Sequence, residues 1–170
     1  MIVKKKTTKE QALGKLAALC SQSEHCTADL LEKLRKWEID ASDQAEIIAY
    51  LVKEHYVDDA RFARFFVNDK LRFNKWGRRK VEMALRQKQI PPSVSDAVFA
   101  EIDDTTYEEV LLPLLEAKWK TTTGRNDYER SMKLIRFAMG RGFDLDIIRK
   151  CIDKMTGPEA AELSDDDPLD

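Results

Sequence analysis

Apolar residues recur along this chain at three- and four-residue spacing almost from end to end, the period of a helix with one buried face. The spacing predicts helices over 8–20, 27–37, 42–54, 58–73, 77–88, 92–102, 105–120, 126–140 and 144–155. Thr27, Ser42, Asp58, Ser93, Asp104 and Asp144 stand where a side-chain oxygen can take an orphan backbone N–H at a helix start. Pro92 suits a first turn, where its missing N–H is not needed. Gly77 and Gly142 fall between helices, where a backbone free of a Cβ eases a turn. Pro113 resists the pattern, because proline inside a helix removes a hydrogen bond. It implies a kink in 105–120 or a separate first turn.

The helices fall into three groups of three with an internal repeat. Leu30, Leu34 and Ile39 have the offsets of Val81, Leu85 and Ile90, and of Leu134, Ala138 and Phe143. The following helix carries Ile47-Ile48 and Leu51, then Val98-Phe99 and Ile102, then Ile147-Ile148 and Ile152. Units this small gain stability by stacking on their neighbours. The expected fold is all-α, an elongated array of three tandem three-helix repeats at 9–55, 56–103 and 104–156. A flexible N-terminus over 1–8 and an acidic, disordered tail over 157–170 would flank it.

On a helical wheel of 58–75, Phe62, Phe65, Phe66 and Phe73 fall on one side and Ala60, Ala63, Val67 and Leu71 on another, so this helix is expected to be buried from two directions. Tyr56, Phe62, Phe65, Phe66 and Trp37 read as core residues. Arg61, Arg64, Asn68, Arg72 and Lys75 fill the gap between the two faces as one solvent-facing stripe. Asp69 sits among the phenylalanines and calls for a partner, with Arg72 or Arg61 nearest. The next helix buries Val81, Ala84 and Leu85 and turns Arg79 and Arg86 outward. Arg78 and Lys80 occupy its first turn, against the helix dipole, which suggests that they serve a partner. A solvated charged face is the plainer alternative. Trp76 either packs under the turn or stacks on a partner's base.

Composition narrows the classes. The chain has 43% apolar and 35% charged residues with few Gly and Pro, which favours a helical globular protein over an all-β or disordered one. Its net charge of −2 conceals segregation: 61–88 carries ten Lys/Arg against two acids, and 159–170 carries six acids and no base. The first stretch would attract acidic partners and the second would repel them. Folded back on the basic stripe, the acidic end would compete with nucleic acid; a solvated tail is the plainer alternative. No apolar run is long enough to span a bilayer, and no apolar segment follows the N-terminal lysines, so a cytoplasmic protein without membrane contact is expected. Cys20, Cys26 and Cys151 read as reduced thiols; with His25 and His55 they supply too few clustered ligands for a metal site. No Gly-rich phosphate loop, nucleophile elbow or histidine–acid metal spacing is present, so neither a catalytic role nor a cofactor is expected.

The segment Tyr56-Val57-Asp58-Asp59-Ala60-Arg61-Phe62-Ala63, then Gly77, Arg79-Lys80-Val81, Leu85 and Lys88-Gln89-Ile90, then Arg141-Gly142-Phe143, resembles the RecX family, the regulators of the RecA recombinase. The likeness covers about residues 10–155. Gln89 and His55 depart from it, standing where glycine is usual. The resemblance implies three three-helix units that bind the RecA–single-stranded DNA filament in its groove and modulate, usually inhibit, strand exchange, ATP hydrolysis and coprotease activity. The contact residues then expected are Arg61, Arg64, Asn68, Arg72, Lys75, Arg78, Arg79, Lys80 and Arg86. The partners would be the RecA filament and single-stranded DNA, with weak binding that extends to duplex DNA, and the protein a monomer. A stand-alone helical DNA-binding module, with 77–88 as recognition helix, and a helical-repeat scaffold remain as alternatives.

Overall fold

Helix-forming sequence and regular apolar spacing give an all-helical chain. The computed structural model describes residues 6–164, with side chains through residue 156; the end of the acidic tail, 165–170, lies outside the described residues. Among them are nine helices and no strand: α1 (Lys9–Gln22), α2 (Thr27–Lys36), α3 (Ala41–Lys53), α4 (Asp59–Arg72), α5 (Arg78–Gln87), α6 (Pro92–Ala100), α7 (Asp104–Thr121), α8 (Asp127–Gly140) and α9 (Leu145–Ser164). α7 runs uninterrupted through Pro113. α9 does not stop at 155 but continues past Gly157 and Pro158, where Glu159, Ala160, Ala161, Glu162 and Leu163 all favour helix.

The chain divides into two compact units. One comprises the chain up to Phe66 together with Leu85–Val98, and the other Val67–Ala84 together with the chain from Phe99 on. The division passes through α4, α5 and α6, so these three helices contribute to both. In the first unit Ala12, Leu16, Leu30, Leu34, Ile39, Ile47, Leu51 and Val57 form the core. In the second, Leu71 joins Leu111, Leu115, Leu134, Ala138, Phe143, Ile147 and Ile148. Every position of the repeated triplets is buried, from Leu30, Leu34 and Ile39 through Val81, Leu85 and Ile90 to Leu134, Ala138 and Phe143.

The repeat also specifies how helices stop. Ile39, Tyr56, Ile90 and Phe143 each donate their N–H to the carbonyl five residues back, at Leu34, Leu51, Leu85 and Ala138, over 2.9–3.2 Å. The residue before each lies in the left-handed region: Glu38, His55 and Gln89 at φ 57°, 61° and 59°, and Gly142 at 93°. This is a helix stop that favours glycine at its left-handed position. Gln89 and His55, where glycine is usual in the resembled family, therefore adopt the strained conformation rather than avoid it. A left-handed non-glycine residue costs about 1–2 kcal/mol, of which glycine's extra unfolded-state entropy returns about half. The double variant His55→Gly/Gln89→Gly should gain about 1 kcal/mol in urea unfolding; unchanged or lower stability would contradict this.

Helix starts follow the expected chemistry with some changes of residue. Thr8, Asp40 and Asn126 cap α1, α3 and α8 through side-chain oxygens. Asp58 caps α4, its Oδ1 accepting the Arg61 N–H at 3.1 Å. Asp58→Ala should therefore cost about 1 kcal/mol in thermal unfolding. Thr27 is not a cap. It is the first residue of α2, and its own N–H donates to Asp59 Oδ1 at 2.8 Å, so a carboxylate from α4 serves the positive end of α2. Ser42 likewise yields its expected role to Asp40, and Asp104 lies inside the first turn of α7 after Asp103.

Candidate functional site

Most of the cationic residues singled out in the sequence surround the α4–α5 turn of the second unit. α4 ends at Arg72, Lys75 turns the chain at φ 57°, and the Trp76 N–H closes the turn on the Lys70 carbonyl at 3.1 Å. The turn is then fastened to the connection between α8 and α9. Gly77 N–H donates to the Arg141 carbonyl at 2.8 Å, and Arg79 N–H donates to the Gly142 carbonyl at 3.0 Å. In the same direction Arg79 Nε donates to Asp144 Oδ1 at 2.9 Å, and in the reverse direction Arg141 Nη1 donates to the Asn74 carbonyl at 2.9 Å. The Gly77 Cα lies so close to the backbone of Gly142 and Phe143 that no Cβ fits between them.

This clamp presents Asn68, Arg72, Lys75, Arg78, Arg79 and Lys80 to solvent from one turn and its two flanking helices. Trp76 is half-buried and has two ammonium groups over its ring, Lys80 Nζ at 4.6 Å and Lys70 Nζ at 5.3 Å from the centroid. The indole thus holds cations in place by its negative face. Arg78 lies over the Phe99 ring at 4.9 Å, with Glu82 Oε2 3.9 Å from its Nε. In the same unit the Tyr107 hydroxyl is buried without a hydrogen-bond partner among the described residues. Burial pushes its pKa up to about 12, so it stays neutral and adds no charge to this surface.

The first unit holds the remaining three. Arg64 and Arg86 are exposed. Arg61 is a brace: its Nε meets Glu24 Oε1 at 2.7 Å, and its terminal nitrogens donate to the carbonyls of His55 and Tyr56 at 3.2–3.3 Å. It ties α4 to the connection before α2 and to the turn after α3. The segment Tyr56–Ala63 is accordingly architectural, with Asp58 capping α4, Asp59 serving α2 and Arg61 holding Glu24.

Two expectations change. Asp69 has Lys70 Nζ at 3.9 Å in place of the expected Arg72 or Arg61, the latter being engaged by Glu24. Phe65 and Phe73 are not core residues, being 56% and 80% exposed, whereas Phe62 is buried and its ring meets Phe66 with centroids 5.6 Å apart. Phe65 lies only about 20° from Arg72 on the helical wheel, on the stripe's side, and Phe73 follows the last helical residue. Arg141 of the Arg141-Gly142-Phe143 motif is a fastener that local spacing does not reveal, because its partner carbonyl is 67 residues away in sequence.

Among the described residues no group of three His, Cys, Asp or Glu side chains is arranged to hold a metal ion. Cys26 is buried at the start of α2, and burial pushes its thiol up to about 11. Among the same residues no helix is long and apolar enough to cross a membrane.

The family models for the second and the third three-helix domains of RecX match residues 58–101 and 106–152. The regulatory protein RecX of Acinetobacter baylyi is 30% identical over 138 residues, covering 81% of this chain and 84% of the relative. The chain belongs to the RecX family. RecX of Chlorobaculum tepidum, also named a regulatory protein, is 31% identical over 153 residues, covering 90% of this chain and 93% of its own. The crystal structure of RecX from Lactobacillus salivarius superposes with a TM-score of 0.77 at 19% identity, over 86% of this chain and 96% of that one. That likeness carries the all-helical RecX fold. The two matched RecX segments correspond to α4–α6 and α7–α9, whose turns supply the two halves of the clamp.

Proposed function

We propose that this chain regulates RecA by binding the RecA–single-stranded DNA filament and inhibiting its recombinase, ATPase and coprotease activities. The reading rests on RecX family membership, and one observation supports it at the level of residues. Exposed cations around the α4–α5 turn are held on a backbone clamp rather than on a loose loop. A fixed cationic array meets phosphates or acidic side chains at a smaller entropic cost than mobile lysines and arginines do. Arginine adds bidentate geometry to that attraction. Arg64, Asn68, Arg72, Lys75, Arg78, Arg79, Lys80 and Arg86 are the contact residues in this reading, and Arg61 supports them from within the fold.

The test is RecA ATP hydrolysis on single-stranded DNA with this protein added below equimolar amounts. Substoichiometric inhibition is the expected result. Unchanged hydrolysis together with binding to duplex DNA alone would replace this reading with that of a stand-alone DNA-binding module.

A further inference from the structure

The α7–α8 connection of the second unit bounds a groove that the basic turn does not use. Arg125, Tyr128, Met132, Lys133 and Arg136 line it, with Glu129 beside them. From Lys118 to Arg141 the chain holds seven Lys/Arg against Asp127 and Glu129, a net charge of +5. Some of these cations are structural. Arg130 stacks on Trp119 at 3.7 Å from the ring centroid and donates to the carbonyls of Trp119 and Thr122 at 2.8 and 3.1 Å, which fixes the wall of the groove. Lys118 and Arg141 both lie over Phe137, at 4.8 and 5.3 Å.

In the groove itself Lys133 Nζ donates to the Thr123 carbonyl, whereas the two arginines are differently placed. Its one carboxylate, Glu129, is turned to the chain, Oε2 accepting the Arg125 N–H at 3.3 Å beside the Asn126 cap. Among the described residues neither Arg125 nor Arg136 has an ion-pair partner. Tyr128 stands 70% exposed, and Tyr128, Met132 and Arg136 follow one another at four-residue spacing along one face of α8. A planar ring, a thioether and a guanidinium in a row, with a second arginine and a lysine alongside, fit an occupant that alternates flat apolar faces with negative charge. An acidic peptide reaches the arginines through carboxylates on flexible side chains, whereas single-stranded nucleic acid brings one flat base with every phosphate, so the Tyr128 ring and the arginines are met together.

We propose that this groove is a second contact for single-stranded nucleic acid, with one base stacked on Tyr128 and phosphates held by Arg125 and Arg136. It uses no residue of the α4–α5 turn, so it stands or falls apart from the filament reading.

The probe is a fluorescein-labelled oligothymidylate without RecA, titrated with the full chain by anisotropy over a salt series. Arg125→Ala/Arg136→Ala should weaken binding about tenfold or more and lower the slope of log K against log salt by about 1.4, with the melting temperature unchanged. Tyr128→Ala should weaken it roughly tenfold at every salt concentration, and Tyr128→Phe should restore most of that loss. The proposal is overturned if wild-type protein fails to bind the oligonucleotide at low salt, or if the double variant binds it as wild type does. It is equally overturned if Tyr128→Phe is as weak as Tyr128→Ala, or if the arginine pair proves necessary for polyglutamate but not for the oligonucleotide.

Discussion

Gly77→Ala is expected to lower the unfolding free energy by about 3 kcal/mol, a large loss for the addition of a single methyl group. A Cβ at Gly77 would overlap the Phe143 nitrogen and the carbonyl carbon and oxygen of Gly142. All three are backbone atoms, so no rotamer change relieves the overlap and the two turns must separate. Separation breaks Gly77 N–H to the Arg141 carbonyl and Arg79 N–H to the Gly142 carbonyl, at about 1 kcal/mol net apiece. It also strains the burial of Phe143, one of the largest fully enclosed side chains. Gly142 is the reciprocal case, with Lys80 in the way of its Cβ and φ at 93°. Because both glycines serve one interface, Gly77→Ala and Gly142→Ala should be strongly non-additive in a double-mutant cycle. Urea unfolding checks this; a loss under about 0.5 kcal/mol for Gly77→Ala would mean that the turns are not in close contact.

The clamp shows where sequence reading works and where it stops. Leu30, Leu34 and Ile39 and their two sets of counterparts are legible because burial and helical periodicity are the same physical fact seen twice. The turns after them are legible as turns, since Ile39, Ile90 and Phe143 each follow a left-handed residue. Long-range polar pairing is another matter. Arg61 meets Glu24 across 37 positions and Arg79 meets Asp144 across 65, and nothing in local spacing selects those partners. A helical wheel therefore places Arg61 and Arg72 side by side as one stripe, although the first is tied to Glu24 and two carbonyls. The wheel errs on Phe73 for a related reason. It assumes that the helix continues, whereas α4 ends one residue earlier.

Exposure on a rigid turn has a measurable consequence. Arg72→Glu/Lys80→Glu is expected to weaken association with the RecA–single-stranded DNA filament about a hundredfold at low salt, with helicity and melting temperature retained. Both side chains are exposed, Arg72 at the end of α4 and Lys80 in the first turn of α5 with its ammonium over Trp76. Neither takes part in the backbone clamp, which runs through Gly77, Arg79, Arg141 and Gly142. Reversing two charges removes two attractions and adds two repulsions, and salt screens both, so the deficit should shrink as ionic strength rises. Arg61→Ala is the informative contrast. It leaves Glu24 without its guanidinium, with one carboxylate oxygen already buried and unpartnered, so its effect should appear first in thermal unfolding. If Arg72→Glu/Lys80→Glu inhibits RecA ATP hydrolysis as wild type does, the α4–α5 turn is not the contact surface. If instead the variant loses helicity, these cations hold the fold rather than a partner.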